Sequence, residues 1–308
     1  MTSAKHVSVL QEAAVQALQI REDGKYIDAT YGRGGHSRKI LEQLGSQGRL
    51  TAIDRDPEAI ADAERQFEKD QRFAIVGANF GELDQVINPD WLGKVDGLLL
   101  DLGVSSPQLD VAERGFGFSR DGSLDMRMDP LNGVSAAQWL ADVREEDLVY
   151  VFKTYGEERY ARRIAAAVIA ARDTAPITRT LQLAEIIKAA HPRWEKHHHP
   201  ATRCFQAIRI HINGELDAVK HVLACAPKVL RKGGRLVVIS FHSLEDRLVK
   251  RALRNPPPPA GLPRHLPLPE MAPHPWKVVS KAIKASDEEV AANPRARSAV
   301  MRIAERVV

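Results

Sequence analysis

Short apolar and β-branched runs alternate with helix-forming segments between residues 25 and 103. We expect strands at 25–30, 49–54, 72–76 and 95–101, and helices that begin near His36 and just after Asp56. The run 95–101 is apolar nearly throughout, which is typical of a strand covered on both faces of a sheet. This alternation predicts a doubly wound α/β fold with a parallel sheet.

The periodicity becomes mostly helical from residue 109 to 200. Ser135 and Gln138 form a capping-box pattern, and the run 160–171 is a helix rich in Ala, Ile and Val. Residues 201–230 are also helical in pattern, a strand returns at 234–240, and 278–283 with 298–307 fit a closing antiparallel pair. The sequence predicts a discontinuous sheet domain, 1–108 and 201–308, interrupted by an all-helical domain, 109–200.

Composition excludes several classes of protein. The chain has 308 residues, 44% of them apolar, and only two cysteines, Cys204 and Cys225, so a disulfide framework cannot form within one chain. No segment approaches eighteen consecutive apolar residues, and the first twenty residues do not read as a secretion signal. We expect a soluble, cytoplasmic protein that does not enter a membrane.

Positive charge is concentrated in one part of the chain. Residues 227–284 hold 12 Lys and Arg against 3 Asp and Glu, whereas the whole chain has a formal charge of only +4. The segment is either a solvated basic face or a docking surface for a polyanion. Arg231, Lys232, Lys250 and Arg251 are candidates to hold phosphates. Nine prolines lie between residues 254 and 276, which predicts an irregular loop.

A glycine-rich turn at 32–36 (GRGGH) follows the first predicted strand. Such a turn lets a ligand approach the backbone and presents amides at a helix N-terminus. Ser37 occupies the third glycine position of a dinucleotide fingerprint, and no Gly-Lys-Ser/Thr of a P-loop follows. Taken alone, the turn fits an ordinary strand-to-helix connection as well as it fits a cofactor site.

Asp54 strengthens the cofactor interpretation. It ends the second predicted strand, twenty-two residues after Gly32, where an acid can accept hydrogen bonds from both ribose hydroxyls of an adenosine. Asp56 already serves as the helix cap. The turn and the acid fit either a dinucleotide or S-adenosylmethionine (SAM), and the missing third glycine favours SAM.

Asp101 lies at the carboxyl end of the fourth predicted strand. If this strand neighbours the first, the edge between them is the switch point of the sheet, where ligands bind. A carboxylate there could hold positive groups of the cofactor or accept a proton from an attacking amine. A turn or helix-capping aspartate is the simpler alternative.

Two histidine clusters are harder to interpret. Three consecutive histidines, His197 to His199, give poor metal-chelating geometry, because adjacent side chains point in different directions. We expect a structural or RNA-facing loop there and no metal. The cluster Phe241-His242-Ser243 follows the strand at 234–240, and it either touches substrate or caps the next helix.

Motifs spread along nearly the whole chain carry a resemblance to one family. They are HVSVL at 6–10, GRGGHS at 32–37, AIDRDP at 52–57, DLGVSSPQLD at 101–110, ERGF at 113–116, LDMRMD at 124–129, YGEER at 155–159, HPATR at 199–203, FQAIRI at 205–210, NGEL at 213–216, SFHSLED at 240–246 and NPRARS at 293–298. With them the chain resembles the bacterial 16S ribosomal RNA cytosine-N4 methyltransferase family, RsmH, formerly MraW.

The resemblance implies a SAM-dependent methyltransferase with a Rossmann-like sheet, acting on the exocyclic amine of a cytidine in the decoding centre of 16S rRNA. Carried over by motif, the cofactor contacts are Gly34, Gly35, His36, Asp54, Phe80, Asp101 and Gln108, and Asp101 is the candidate catalytic residue. The inserted helical domain corresponds to the second domain of the family, which is thought to help form the substrate cleft. The partner implied is 16S rRNA within the small ribosomal subunit, and a homodimer stays open.

Departures from the family pattern are few. Ala29 and Tyr31 differ in the turn, and DLGV at 101–104 stands where many amino-methyltransferases carry an Asn/Asp-Pro-Pro-aromatic motif. Other classes of function remain as alternatives: a nicotinamide dehydrogenase, a non-catalytic ribosome-assembly factor, or a SAM enzyme that acts on small molecules. NAD binding, or RNA binding without turnover, would distinguish the first two.

Overall fold

The computed structural model describes residues 8–193, 199–254 and 273–308. The chain divides into two compact units, one made of residues up to Gly103 and from Leu216 onward, the other of Val104–Glu215. The helical unit therefore extends beyond the expected boundary at residue 200. The physical reason is that a helix at Ala201–Asn213 places Cys204, Phe205 and Ile208 in the core of that unit.

Among the described residues, eight strands form one sheet in the first unit. The strands are β1 Lys25–Asp28, β2 Arg49–Asp54, β3 Phe73–Gly77, β4 Val95–Asp101, β5 Leu230–Ser240, β6 Trp276–Val278, β7 Ile283–Lys284 and β8 Val300–Arg306. Their order is β3-β2-β1-β4-β5-β8-β6, and β7 also pairs with β8. Strands β1 to β5 are parallel, and β8 is antiparallel to its neighbours. The predicted α/β class and the neighbouring of β1 and β4 are confirmed.

The helices follow the order of the chain. They are α1 Gln11–Leu18, α2 Gly35–Gln43, α3 Pro57–Phe67, α4 Leu83–Val86, α5 Ser106–Asp110, α6 Ala136–Asp142, α7 Glu145–Tyr155, α8 Ala161–Thr174, α9 Thr180–Ala190, α10 Ala201–Asn213, α11 Glu215–Val229, α12 Ser243–Ala252 and α13 Asp287–Ala292. Within the described part of the chain, no helix is both long and apolar enough to cross a membrane.

Successive residues of β4 point into two different cores, because side chains alternate between the faces of a strand. Leu98 and Leu100 pack in one core with α11, and Leu99 packs in the other with α1 and α2. All three are fully buried, and each such side chain contributes roughly 1.5–3 kcal/mol to folding. Helices therefore cover both faces of the sheet, which is the doubly wound arrangement.

Two local predictions need comment. The capping box at Ser135 is present, with Ser135 and Gln138 exchanging backbone and side-chain contacts at the start of α6. Strand β5 begins at Leu230, four residues before its predicted start. Its pairing with β4 shifts register between Val95 and Gly97. The strand therefore contains a bulge that includes Gly233, where φ is +79°.

The helical unit has its own core. Helix α7 packs against α8 and α10, and α9 packs against α8 and α10. The apolar faces of these helices meet around Phe152, Ile164, Val168 and Leu183, which are fully buried. A separate core of this kind is what an independently folding inserted domain requires. Residues 255–272, which hold most of the predicted proline-rich loop, lie outside the described residues.

Candidate functional site

The turn after β1 is built by glycines in left-handed conformations. Gly32 has φ +58° and Gly34 has φ +67°, and α2 begins directly after Gly34. A Cβ on Gly34 would lie 2.7 Å from the Tyr31 ring, and one on Gly35 would lie 2.0 Å from the Ser8 hydroxyl. No other residue type fits these positions without rearrangement. Residues 32–35 therefore present bare backbone at the carboxyl edge of the sheet.

Asp54 closes the same turn from the end of β2. Its carboxylate accepts a hydrogen bond from the Gly32 backbone N–H at 2.8 Å and one from the Asp56 N–H at 2.9 Å. The structure thus joins Asp54 to the glycine turn directly. Burial raises the pKa of this carboxyl. An acid held this way can exchange these bonds for those of a ribose diol.

Another acid, Asp28, lies beneath the turn at the end of β1. It accepts hydrogen bonds from the Ser37 hydroxyl at 2.7 Å and from the Thr30 N–H at 3.3 Å, and burial raises its pKa to about 6. Ser37, at the position of the absent third glycine, is therefore used to hold Asp28. The sequence marked Ser37 only as a departure and did not reveal this contact.

Asp101 ends β4, next to β1, as predicted for the switch point. Its backbone N–H donates to Thr30 Oγ1 at 2.7 Å, and its Oδ2 lies 3.7 Å from Nδ1 of His36. Its other carboxylate oxygen, Oδ1, is buried and has no hydrogen-bond partner among the described residues. Burial raises the pKa of Asp101 well above its usual value, and the nearby carboxyls Asp28 and Glu245 raise it further.

His36 is also buried and incompletely partnered. Its Nε2 makes no hydrogen bond within the described parts of the chain, and burial lowers the pKa of the imidazole to about 4. The ring is therefore neutral at pH 7 and does not act as the counter-ion of Asp101. Two unsatisfied buried polar atoms at one sheet edge are costly unless a ligand completes them. These atoms and the bare glycine turn fit an adenosine-type cofactor with a charged amino acid end.

The two remaining predicted contacts, Phe80 and Gln108, lie on other elements. Phe80 starts a short 3₁₀ turn after β3, along the same sheet edge, and is partly buried. Gln108 belongs to α5 of the helical unit, where its side-chain oxygen accepts the Ser105 N–H at 2.9 Å. Gly34, Gly35, His36, Asp54 and Asp101 are thus grouped by direct contacts around one turn. The cofactor roles of these five residues, and those of Phe80 and Gln108, stay predictions.

Glu245 is a buried acid that the sequence did not single out. It is 1% exposed, and its Oε2 accepts the backbone N–H groups of Phe241 and His242 at 2.9 and 3.4 Å. His242 is the N-cap residue of α12, which agrees with the helix-capping interpretation of the cluster Phe241-His242-Ser243. The signal available in the sequence was the capping-box spacing between residues 242 and 245.

Two further predictions concern Arg231 and the three consecutive histidines. Arg231 donates to Asp96 at 2.6 Å, an acid that Arg21 also contacts at 3.3 Å, and the role of Arg231 in holding a phosphate stays a prediction. His199 packs on Phe118 with 4.7 Å between ring centroids and accepts the Ala201 N–H at 3.1 Å, which places it at the start of α10. His197 and His198 lie outside the described residues.

A parallel-centred doubly wound sheet, a glycine turn after β1 and acids at the ends of β2 and β4 define a Rossmann-like α/β protein with a site for an adenosine-type cofactor. The sequence profile of the MraW methylase family matches residues 3–307, so the chain belongs to that family. It is a methyltransferase, and the prediction of SAM as its cofactor is confirmed at this level. This membership also favours methyl transfer over the dehydrogenase alternative.

The chain is also similar to individual proteins. It is 56% identical over 306 residues to the ribosomal RNA small subunit methyltransferase H of Chromohalobacter salexigens, covering 98% of this chain and 92% of that one. The protein of the same name from Thioalkalivibrio sulfidiphilus is 55% identical over 305 residues, with 98% and 97% covered. Among solved structures, an rRNA methylase from Streptococcus thermophilus is 9% identical with a TM-score of 0.41, covering 99% of this chain and 100% of that one.

Proposed function

We propose that this protein transfers a methyl group from SAM to the exocyclic N4 amine of a cytidine in 16S ribosomal RNA, at position 1402. The names of the two relatives above support a small-subunit rRNA substrate. The observation that carries the proposal is the Asp101 carboxyl, whose buried Oδ1 has no hydrogen-bond donor among the described residues. It lies at the sheet edge that also carries the glycine turn and Asp54.

The geometry of the turn supports the cofactor contacts that we assign. The backbone of Gly34 and Gly35 approaches the cofactor, Asp54 accepts hydrogen bonds from the ribose hydroxyls, and His36 supplies a neutral, buried ring nitrogen. Phe80, after β3, contacts the adenine. Bound SAM supplies an electrophilic methyl group on a positively charged sulfur.

Cytosine N4 is a poor nucleophile, because its lone pair is delocalised into the ring. Positioning of the amine is therefore the main task, and we assign it to Asp101, which accepts a hydrogen bond from N4–H. As N4 bonds to the methyl carbon, the electron pair of the sulfur–methyl bond goes to sulfur, and the amine must lose a proton. A carboxyl whose pKa is raised by burial is a stronger proton acceptor once ionised.

The target cytidine must leave any stacked arrangement before its amine can reach the Asp101 carboxyl. We assign recognition of the surrounding RNA to the helical unit, Val104–Glu215, and contact with the cofactor to Gln108 within it. These roles rest on the family resemblance and on the separate core of that unit.

The test uses isotopically labelled SAM and small ribosomal subunits that lack the modification. After incubation with the protein, the RNA is digested and labelled nucleosides are identified by mass spectrometry. Label in N4-methylcytidine at position 1402 is expected. SAM binding without label in the RNA would contradict the proposal and favour an assembly factor or a different acceptor.

Asp101→Asn tests the assigned role. The amide is nearly isosteric but accepts no proton, so we expect kcat to fall roughly 100-fold while the SAM dissociation constant changes less than about 10-fold. Asp90→Asn is the matched control, because Asp90 is exposed on the 3₁₀ turn before β4. A variant that binds SAM normally and methylates at the wild-type rate would refute the role of Asp101.

A further inference from the structure

A cleft lies in the sheet unit, in a region that none of the assigned cofactor contacts use. Its volume is about 570 Å³, and it runs between the C-terminal end of α12 and the segment that joins β6 to β7. Lys250 and Arg254 line it from the α12 side, and Val279, Ser280 and Lys281 line it from the opposite side. Such a volume is typical of pockets that hold small organic ligands or nucleotide-sized groups.

Three of the cations that line this cleft are uncompensated. Lys250, Arg254 and Lys281 have no carboxylate partner within residues 8–193, 199–254 and 273–308. The fourth cation, Arg302 on β8, is held by Asp246 through two bonds of 2.7 and 2.9 Å. Among the described residues, the lining of the cleft includes no acid, so the cleft carries a net positive charge.

This pattern differs from arginines elsewhere in the protein. Arg72 pairs with Asp70 at 2.7 Å, Arg209 with Glu215 at 2.8 Å, and Arg231 with Asp96 at 2.6 Å. Those pairs neutralise charge within the molecule. The cleft instead keeps its cations available, which is the arrangement expected of an anion-binding surface.

The end of a helix does not account for this cluster. Cations in the last turn of a helix offset its negative end, and this explanation applies to Lys250. Arg254, however, lies beyond the C-cap residue Leu253, and Lys281 comes from a different segment of the chain. The helix end therefore does not explain why cations from two different segments line the same cleft.

The lining also contains apolar surface. Val278 and Val279 are 50% and 42% exposed, and the Ser280 hydroxyl lies beside them. Exposed valines contribute nothing to the binding of a small inorganic anion. Cations beside apolar walls match a sugar–phosphate chain, whose phosphates are charged and whose ribose rings present C–H surface.

We infer that this cleft binds the sugar–phosphate backbone of the RNA substrate. The inference rests on the proposed function, since it assigns a second contact to the same substrate. Phosphate contacts fix the position of RNA and carry no sequence information. The cleft therefore orients the RNA without selecting the cytidine.

The experiment neutralises two lysines of the cleft together, as Lys250→Gln with Lys281→Gln. The matched control is Lys69→Gln with Lys94→Gln, which removes the same charge from exposed positions that do not line the cleft. The dissociation constant for unmodified small-subunit rRNA is measured between about 50 and 200 mM salt. We expect the cleft variant to bind roughly 10-fold more weakly at low salt, with a logarithmic salt slope shallower by about 1–2.

The control variant is expected to keep the wild-type affinity for RNA within about 2-fold and most of the wild-type salt slope. Both variants should keep the wild-type affinity for SAM and the wild-type circular dichroism spectrum, which shows that they fold. Equal effects of the two variants on RNA binding, or no effect of the cleft variant, would overturn the inference.

A second arm distinguishes RNA from free phosphate. Inorganic phosphate replaces chloride at constant ionic strength, and the melting temperatures of the wild type and the cleft variant are compared. Phosphate stabilisation that is lost in the cleft variant, with unchanged RNA affinity, would assign the cleft to free phosphate and overturn the inference. Methylation by the wild type is scored separately, so failure of the proposed function is distinguishable from failure of this site.

Discussion

Two half-buried aspartates, one in each unit, are handled in opposite ways. Burial would raise the pKa of Asp125 in the helical unit, but Arg127 binds both of its oxygens at 2.9 and 2.7 Å, and the pKa is lowered. Asp101 in the sheet unit has no such partner in the part of the chain that the structure describes, and burial raises its pKa well above the usual value. Asp125 is satisfied within its own unit, whereas Asp101 is left for a ligand to satisfy.

The same contrast extends to their neighbours. Asp28 is buried and Asp54 is half-buried, and both accept hydrogen bonds from N–H or O–H groups, with no cation bound directly among the residues that the structure describes. In the helical unit, Arg209 and Glu215 form a pair with two bonds of 2.8 Å. Unpaired buried acids reduce stability, and proteins retain them at functional sites. This difference locates the site without reference to any motif.

The largest expected effect is a change of stability with pH, and it has opposite signs for Asp28 and His36. The raised pKa of Asp28 contributes stability below about pH 3.8 that is lost as the pH rises through about 6. The lowered pKa of His36 does the reverse: its stability is present above about pH 6.5 and is lost as the pH falls through about 4. Relative to wild type, Asp28→Asn should gain about 3 kcal/mol between pH 4 and pH 7, and His36→Gln should lose about 3 kcal/mol.

Urea unfolding at pH 4, 5, 6 and 7 measures both differences. The wild type serves as the reference at each pH, so other titrating groups cancel. If neither variant changes its stability relative to wild type across this range, the two side chains are not buried as described, and the comparison between the units fails.

Asp54→Ala should weaken SAM binding roughly 100-fold, because two hydrogen bonds to a charged group are removed. Isothermal titration gives the dissociation constant. Asp56→Ala is the control, since Asp56 caps α3 through the Glu58 N–H and should affect mainly stability. Equal SAM affinities for the two variants would contradict the assignment of Asp54 to the ribose.

Asp125→Asn should lower the free energy of unfolding by about 2 kcal/mol, since Arg127 loses a charged partner with two hydrogen bonds. Asp142→Asn, at an exposed position on α6, should stay within about 0.5 kcal/mol of wild type. Chemical denaturation measures both. A loss for Asp142→Asn as large as that for Asp125→Asn would remove the contrast between paired and unpaired acids.

The smallest expected effect is the release of a proton when SAM binds. A cation bound beside Asp101 favours its ionised form, so its pKa falls when SAM binds and up to about one proton is released. SAM affinity should therefore increase with pH until Asp101 is ionised in the free protein. Calorimetry in two buffers of different ionisation enthalpy counts the proton. Proton release that persists in Asp101→Asn would assign it to another group.

Features encoded locally were predictable from the sequence. The apolar run of β4, the glycines at 32, 34 and 35, and the cap at Asp56 each act over a few residues, and all lie where the pattern placed them. The chain position of Asp54 and Asp101 at strand ends followed directly. These features place the candidate site at the carboxyl edge of the sheet.

Features that depend on tertiary contacts were not predictable. Helical periodicity places α10 in a helix but does not say which core it joins, so the boundary at residue 200 was wrong. The pair of Arg231 with Asp96 links residues 135 positions apart, and the burial of Glu245 is set by the packing of α12. Pairing and burial, which decide the chemistry of an acid or a cation, became visible only in the folded chain.

Strand β8 follows all other strands in the sequence but lies inside the sheet, between β5 and β6. During synthesis, β5 leaves the ribosome before β8 is made. The edge of β5 that pairs with β8 therefore stays open until residues 300–306 emerge. An open edge of this kind invites pairing with other chains. The nascent protein thus has an aggregation-prone interval that ends when β8 is made, and a truncated product that lacks β8 would keep the exposed edge that quality-control proteases and chaperones recognise.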